Sequence, residues 1–138
     1  MPSDSPNVTS PLARSWGPQL LSLLRITAGL VFLAHGTQKL LGFPAGSGGA
    51  PEMLSLSWFA GVIELVAGSL ITLGLFTRPA AFVASGTMAF AYWLAHAPRD
   101  PFPVNNGGDA AILYCFVFLY LAAAGAGPWS VDAARRRP

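Results

Sequence analysis

Residues 58–78 read WFAGVIELVAGSLITLGLFTR, a long apolar run with one carboxylate, Glu64, near its middle. As a helix, residues 56–76 are about 30 Å long, the hydrocarbon thickness of a bilayer. A carboxylate facing acyl chains at mid-span costs about 2.5–3.5 kcal/mol, so Glu64 has to face protein or a wet cavity. Gly61, Glu64, Gly68 and Thr72 recur at spacings of three and four and so form one stripe. Small residues on that stripe let another helix approach closely. The rest of the chain therefore has to supply a bundle.

Composition agrees. The chain is 53% hydrophobic and 10% charged, against about 25% charged in soluble domains. That balance predicts an integral membrane protein within the lipid bilayer. The net charge of +2 and the scatter of the basic residues exclude a groove-sized nucleic-acid surface. One cysteine, Cys115, excludes an autonomous dithiol–disulfide enzyme, which needs a pair.

Outward from the central run, the pattern predicts an all-α fold, a bundle of four transmembrane helices occupying residues 18–130. Residues 1–17, with Pro2, Pro6 and Pro11, read as a flexible polar tail. The first span is 20–41, where Arg25, Gly29, Phe32, His35, Gly36 and Lys39 share one face about 120° wide. Arg25 and Lys39 sit toward opposite ends, where long side chains snorkel. The second span is 56–76. Thr77-Arg78-Pro79 reads as a tight turn, with Pro79 opening the third span, 80–97. Tyr92 and His96 lie beside its small-residue stripe. A Pro- and Asn-Gly-rich loop over 98–108 leads to Asp109, an N-cap or first-turn acid. The fourth span is 110–126, and 131–138 is a basic tail. Arg14, Arg78 and Arg135–Arg137 fall on the terminal side, so the positive-inside rule puts both termini in the cytoplasm.

This topology gathers polar side chains in the outer half of the bilayer. His96, Asp109 and the loop residue Asn106 stand at the outer mouth, Lys39 about 3 Å in, His35 about 9 Å in and Glu64 about 12 Å in. His35, Lys39, Glu64, Tyr92, His96, Asn106 and Asp109 are the candidate ligand-binding residues; no catalytic residue is assigned. Such a line suits a proton path or the head group of an amphipathic ligand. Each member also has a plainer reading: Glu64 as the partner of Lys39, His35 or Arg25, Asp109 as a helix cap, Asn106 as a turn residue, and the Phe and Tyr of the fourth span as core or lipid contacts. The two histidines differ in depth by about 8 Å, which fits neither zinc nor a bis-histidine haem. No phosphate loop, dinucleotide fingerprint or nucleophile elbow occurs.

RITAGLVFLAHGTQKLLGF from Arg25, WFAGVIELVAGSLITLGLFTRPAA from Trp58 and the NGGD run with its closing Gly-x-Gly-x-x-Ser-x-Asp (Gly125 to Asp132) resemble the DoxX family of small bacterial membrane proteins. The similarity covers roughly residues 20–132. One departure is Asp109, where the family pattern commonly has Glu. The family takes its name from similarity to a small subunit of a thiosulfate:quinone oxidoreductase. The resemblance implies a multi-pass protein of the bacterial cytoplasmic (inner) membrane, an accessory subunit of a membrane redox system beside other redox subunits, with a quinone or similar lipid-soluble molecule as ligand. The head group is expected between the first and second spans, at His35, Lys39 and Glu64. Two readings without redox chemistry remain open: a lipid or small-molecule carrier, and a structural partner whose small-residue faces dock another protein.

Overall fold

A computed structural model describes residues 10–136 of the chain, and among them every regular element is helical. Among these residues six helices follow in order: α1 (Pro11–Leu41), α2 (Leu56–Leu73), α3 (Thr77–Ala91), α4 (Pro103–Asn106), α5 (Asp109–Ala124) and α6 (Val131–Ala134). A five-residue π turn, Tyr92–His96, prolongs α3. Helices α1 and α2 are long and apolar enough to cross a membrane, while α5, at 16 residues, is an apolar helix just short of that length.

Several boundaries differ from the sequence expectation. Helix α1 starts at Pro11, capped by the Ser10 hydroxyl, which accepts from Ala13 N–H. Residues 11–17 are thus helical rather than tail, because Ser before Pro is a strong start signal; residues 1–9 lie outside those described. The turn between α2 and α3 is Gly74–Phe76, and α3 already begins at Thr77, so Pro79 sits inside its first turn. Gly108 is the N-cap of α5 and Asp109 its first-turn acid. Part of the basic tail, Val131–Ala134, is a helical turn.

The main packing is α1 against α2 and α3 against α5, with α2 also touching α3 and α1 touching α5 little. The α1–α2 seam is built on glycine. A methyl at Gly36 would stand 2.5 Å from Leu65 N, and one at Gly68 2.8 Å from Leu33 Cα. Gly29 meets Thr72, and Gly61 meets Leu40 and Lys39. These four positions alternate along the two helices and bring the backbones together, as the stripe predicted. Phe32 ties α1 to α5, its ring 4.8 Å from Phe118 and 5.6 Å from Tyr114. With Ile71, Ala81, Ala84 and Leu121 it forms the buried core.

The outside of the helices is apolar: Leu30, Val66, Phe82, Phe90, Trp93 and Phe116 are all exposed. Inside lie polar groups, among them Ser22, Arg25, Glu64, Thr77, Ser85 and Asn106. These polar groups lie among an apolar core, and so large an exposed apolar surface around it is unlike that of a soluble domain and suits lipid contact.

Candidate functional site

Arg25 is fully buried and does not snorkel. Its Nε donates to Ala126 O at 2.8 Å, one Nη to Ile71 O at 2.7 Å and to Thr72 O, and the other Nη to Trp129 O. The guanidinium thus closes the end of α2, where four helix carbonyls lack intrahelical partners and the dipole is negative. Arg78 does the same for α5, donating to Ala122 O and Ala123 O. The closing Gly-x-Gly-x-x-Ser-x-Asp motif completes this clasp. The Asp132 carboxylate accepts from Phe76 N at 2.9 Å and Thr77 N at 3.0 Å, and so caps α3 from a distance. Ser22 Oγ accepts from Trp129 N. Gly74, at φ 69° in the left-handed region, presses against Ser130, leaving no space for a side chain. This end of the bundle is structural.

Burial alone would raise the Asp132 pKa, but the hydrogen bonds from Thr77 and Phe76 and the charge of Arg136 outweigh it and hold the group below the ordinary aspartate value. A carboxylate depressed in the folded state contributes stability above its unfolded pKa and loses it as pH falls through the folded value. Below about pH 4, the wild type should therefore melt progressively earlier in detergent, and Asp132→Asn should flatten that part of the profile. An unchanged acid slope in the variant would remove Asp132 as the group responsible.

The other end carries the candidate site. Glu64 is 3% exposed. Lys39 Nζ donates to Glu64 Oε1 at 2.7 Å, while the Lys39 side chain keeps 31% of its surface open. Glu64 Oε2 is buried without a hydrogen-bond partner. Because Gly36 lies directly on the Glu64–Leu65 peptide, Glu64 sits at the level between His35 and Lys39. The seam is tight at Gly36 and Gly68, and Lys39 of α1 and Glu64 of α2 meet across it. The exposed His35 ring stands edge-on to Tyr114, centroids 6.2 Å apart. Tyr114 also packs against Phe32 and Phe118, centroids 5.6 and 5.4 Å away. It is the one addition that the structure makes to the candidate residues. An aromatic in an apolar helix reads as core, and only the approach of α5 to α1 gives it another role.

The remaining candidates form a separate group. His96 Nδ1 lies 3.1 Å from Asn106 O. The buried Asn106 side chain donates to Asp100 O at 2.9 Å and, at 3.5 Å, to Tyr92 Oη, and accepts from Gly108 N at 2.8 Å. Asn106 thereby braces the loop and the start of α5. Asp109 is exposed and joins neither group. The single polar line therefore divides: Lys39 pairs with Glu64, His35 stands against Tyr114, and Tyr92, His96 and Asn106 hold the loop before α5. Among the described residues no group of three or more His, Cys, Asp or Glu could hold a metal ion.

Beside Tyr114, an apolar groove of about 310 Å³ opens between α1 and α5, lined by Leu24, Thr27, Ala28, Val31, Leu113 and Val117 among others. Of the polar side chains described above, Tyr114 lines this groove; a phenol there can donate or accept a hydrogen bond, and the Lys39–Glu64 pair and His35 are groups that can hold or move a proton.

Comparison with known proteins places the chain among bacterial relatives. An uncharacterized protein of Haemophilus influenzae is 43% identical over 122 residues, which cover 83% of this chain and 90% of that protein. The inner membrane protein YphA of Escherichia coli is 35% identical over 83% of this chain and 89% of its own length. The uncharacterized membrane protein Rv3486 of Mycobacterium tuberculosis is 30% identical, with 91% of each chain covered. No solved structure matches. The DoxX family model matches residues 20–97, more than half of the chain, and the chain belongs to the DoxX family.

Proposed function

We propose that this protein is a four-span protein of the bacterial inner membrane, with both termini cytoplasmic, and an accessory subunit of a membrane redox system. It binds the head group of a quinone or a similar lipid-soluble molecule at Lys39, Glu64, His35 and Tyr114. The third span is α3 with its π turn and the fourth is α5. Arg14, Arg78, Arg135 and Arg136 mark the cytoplasmic side, Lys39 and Arg99 the other. Supporting the location, relatives in E. coli and M. tuberculosis are named as membrane proteins.

The observation that carries the site is Glu64: a buried carboxylate with one oxygen paired to Lys39 and the other without a partner. An ionisable residue inside a membrane bundle is a functional group by default, and an unsatisfied buried oxygen asks for a donor. Glu64 can exchange a proton with a bound head group, and His35 can pass it outward. Purified in mild detergent and extracted with solvent, the wild type should release near-stoichiometric quinone by mass spectrometry, and Glu64→Gln several-fold less. Equal amounts from both would discard Glu64 as part of the site.

The carrier reading has one observation of its own, the apolar groove beside Tyr114, which accommodates a lipid tail without any redox chemistry. Extraction of another lipid in place of quinone would favour it. The scaffold reading loses its main support, because the glycine faces of α1 and α2 are used on each other.

A further inference from the structure

We infer that the site selects the reduced, hydroxyl-bearing form of its ligand, a quinol, over the quinone, and that Glu64 makes the selection. The inference rests on the head-group reading given above and concerns the same site.

The argument is an inventory of donors and acceptors. Quinone oxygens only accept hydrogen bonds, whereas quinol hydroxyls both donate and accept. Three of the four polar side chains serve either form. The Lys39 ammonium has three N–H donors, and its contact with Glu64 Oε1 uses one. The exposed His35 ring donates from one nitrogen and accepts at the other, and the Tyr114 hydroxyl does both. Glu64 alone discriminates. Ion-paired to Lys39, it is a carboxylate and accepts only. Its Oε2 is the one acceptor of the group that is buried and unpartnered. A quinone carbonyl placed against it would oppose two lone-pair oxygens in a site of low dielectric, which costs binding. A quinol hydroxyl would satisfy it with a charge-assisted bond.

Oε2 is closed to solvent, so the ligand reaches it only as a neighbouring side chain turns aside. Tyr114 stands half-buried on the wall of the α1–α5 groove, and Lys39 keeps 31% of its side-chain surface open. Rotamer changes of that size are ordinary on binding.

The test compares a decyl-tailed tritiated benzoquinone with its benzoquinol, kept reduced without oxygen, for retention on the full-length protein in detergent. The wild type should bind the quinol at least about tenfold more tightly, the scale of one hydrogen bond to a charged acceptor. Glu64→Gln supplies an N–H₂ donor, so the preference should shrink to within about twofold or invert. Should that variant fail to fold, Glu64→Met, which removes the acceptor altogether, takes its place and should likewise bring the two forms to within about twofold. Equal binding of both forms by the wild type, tighter binding of the quinone, or a quinol preference that survives Glu64→Gln would overturn the inference and leave the head-group reading standing. Retention of neither form would overturn the head-group reading itself, and the inference with it.

Discussion

Replacing Arg25 with Met should lower the stability of the bundle by about 3–5 kcal/mol, the range for removing one partner of a buried, hydrogen-bonded charge. Arg25 donates to the carbonyls of Ile71, Thr72, Ala126 and Trp129. Met matches its stem but supplies no donor, so these acceptors lose their shared partner, at about 1–3 kcal/mol for each that stays buried and unsatisfied. The loss falls on one place, where the end of α2 meets the segment after α5. The loosened part should therefore include the Asp132 cap on α3, since Asp132 N also donates to Gly74 O at 2.8 Å. Arg25→Lys should fall between, because an ammonium is a point donor and cannot span four carbonyls on two sides of a planar fork. Thermal unfolding in detergent, followed by circular dichroism, measures all three. Wild-type melting of the Met variant would show that the clasp carries little stability.

Gly36→Val should be the most damaging change in the α1–α2 seam. Even the Cβ would stand 2.5 Å from Leu65 N and 2.9 Å from the Glu64 carbonyl carbon. These are backbone atoms, which cannot swing away as a flexible side chain can. The helices must part, and overpacking of this kind costs about 1–3 kcal/mol for the smaller Gly36→Ala and more for Val. The separation also carries Glu64 away from Lys39, so ligand retention should fall together with stability. Gly86→Ala is the control. That glycine lies mid-helix, where an added methyl would meet nothing within 4 Å, and the change should be neutral or stabilise by about 0.5–1 kcal/mol. A melting temperature for Gly36→Val equal to that of Gly86→Ala would refute close packing at this seam.

How far the site could be read beforehand follows from the range of the interactions involved. Glu64 and Lys39 were visible as ionisable residues in apolar helices, and pairing was one of the readings open to them. Their depths also agreed to within about two helical turns. Tyr114 was not visible, since nothing within α5 separates it from Tyr120 or Phe116. Asp109 drew attention by its position after Asn-Asn-Gly-Gly and is the first-turn acid of α5, while the side-chain hydrogen bond that holds the turn before it is Asn106's, accepting from Gly108 N. The closing motif was legible as a pattern and not as a role, because its partners Ser22, Gly74 and Thr77 are far away in the chain.

The sequence by itself determined that the chain is helical, roughly where its long helices lie, and that the Gly61–Glu64–Gly68–Thr72 face turns inward. Those are local matters: periodicity, helix-start signals and the cost of a carboxylate in lipid depend only on neighbours a few residues apart. Only the tertiary structure decided what Arg25 does, how the polar candidates divide, and that α5 brings Tyr114 against the His35 ring. The Arg25 bonds join residues 46 to 104 positions apart. Such pairs form because buried helix ends and buried charges have no water to satisfy them and take whatever partner the packing brings within reach.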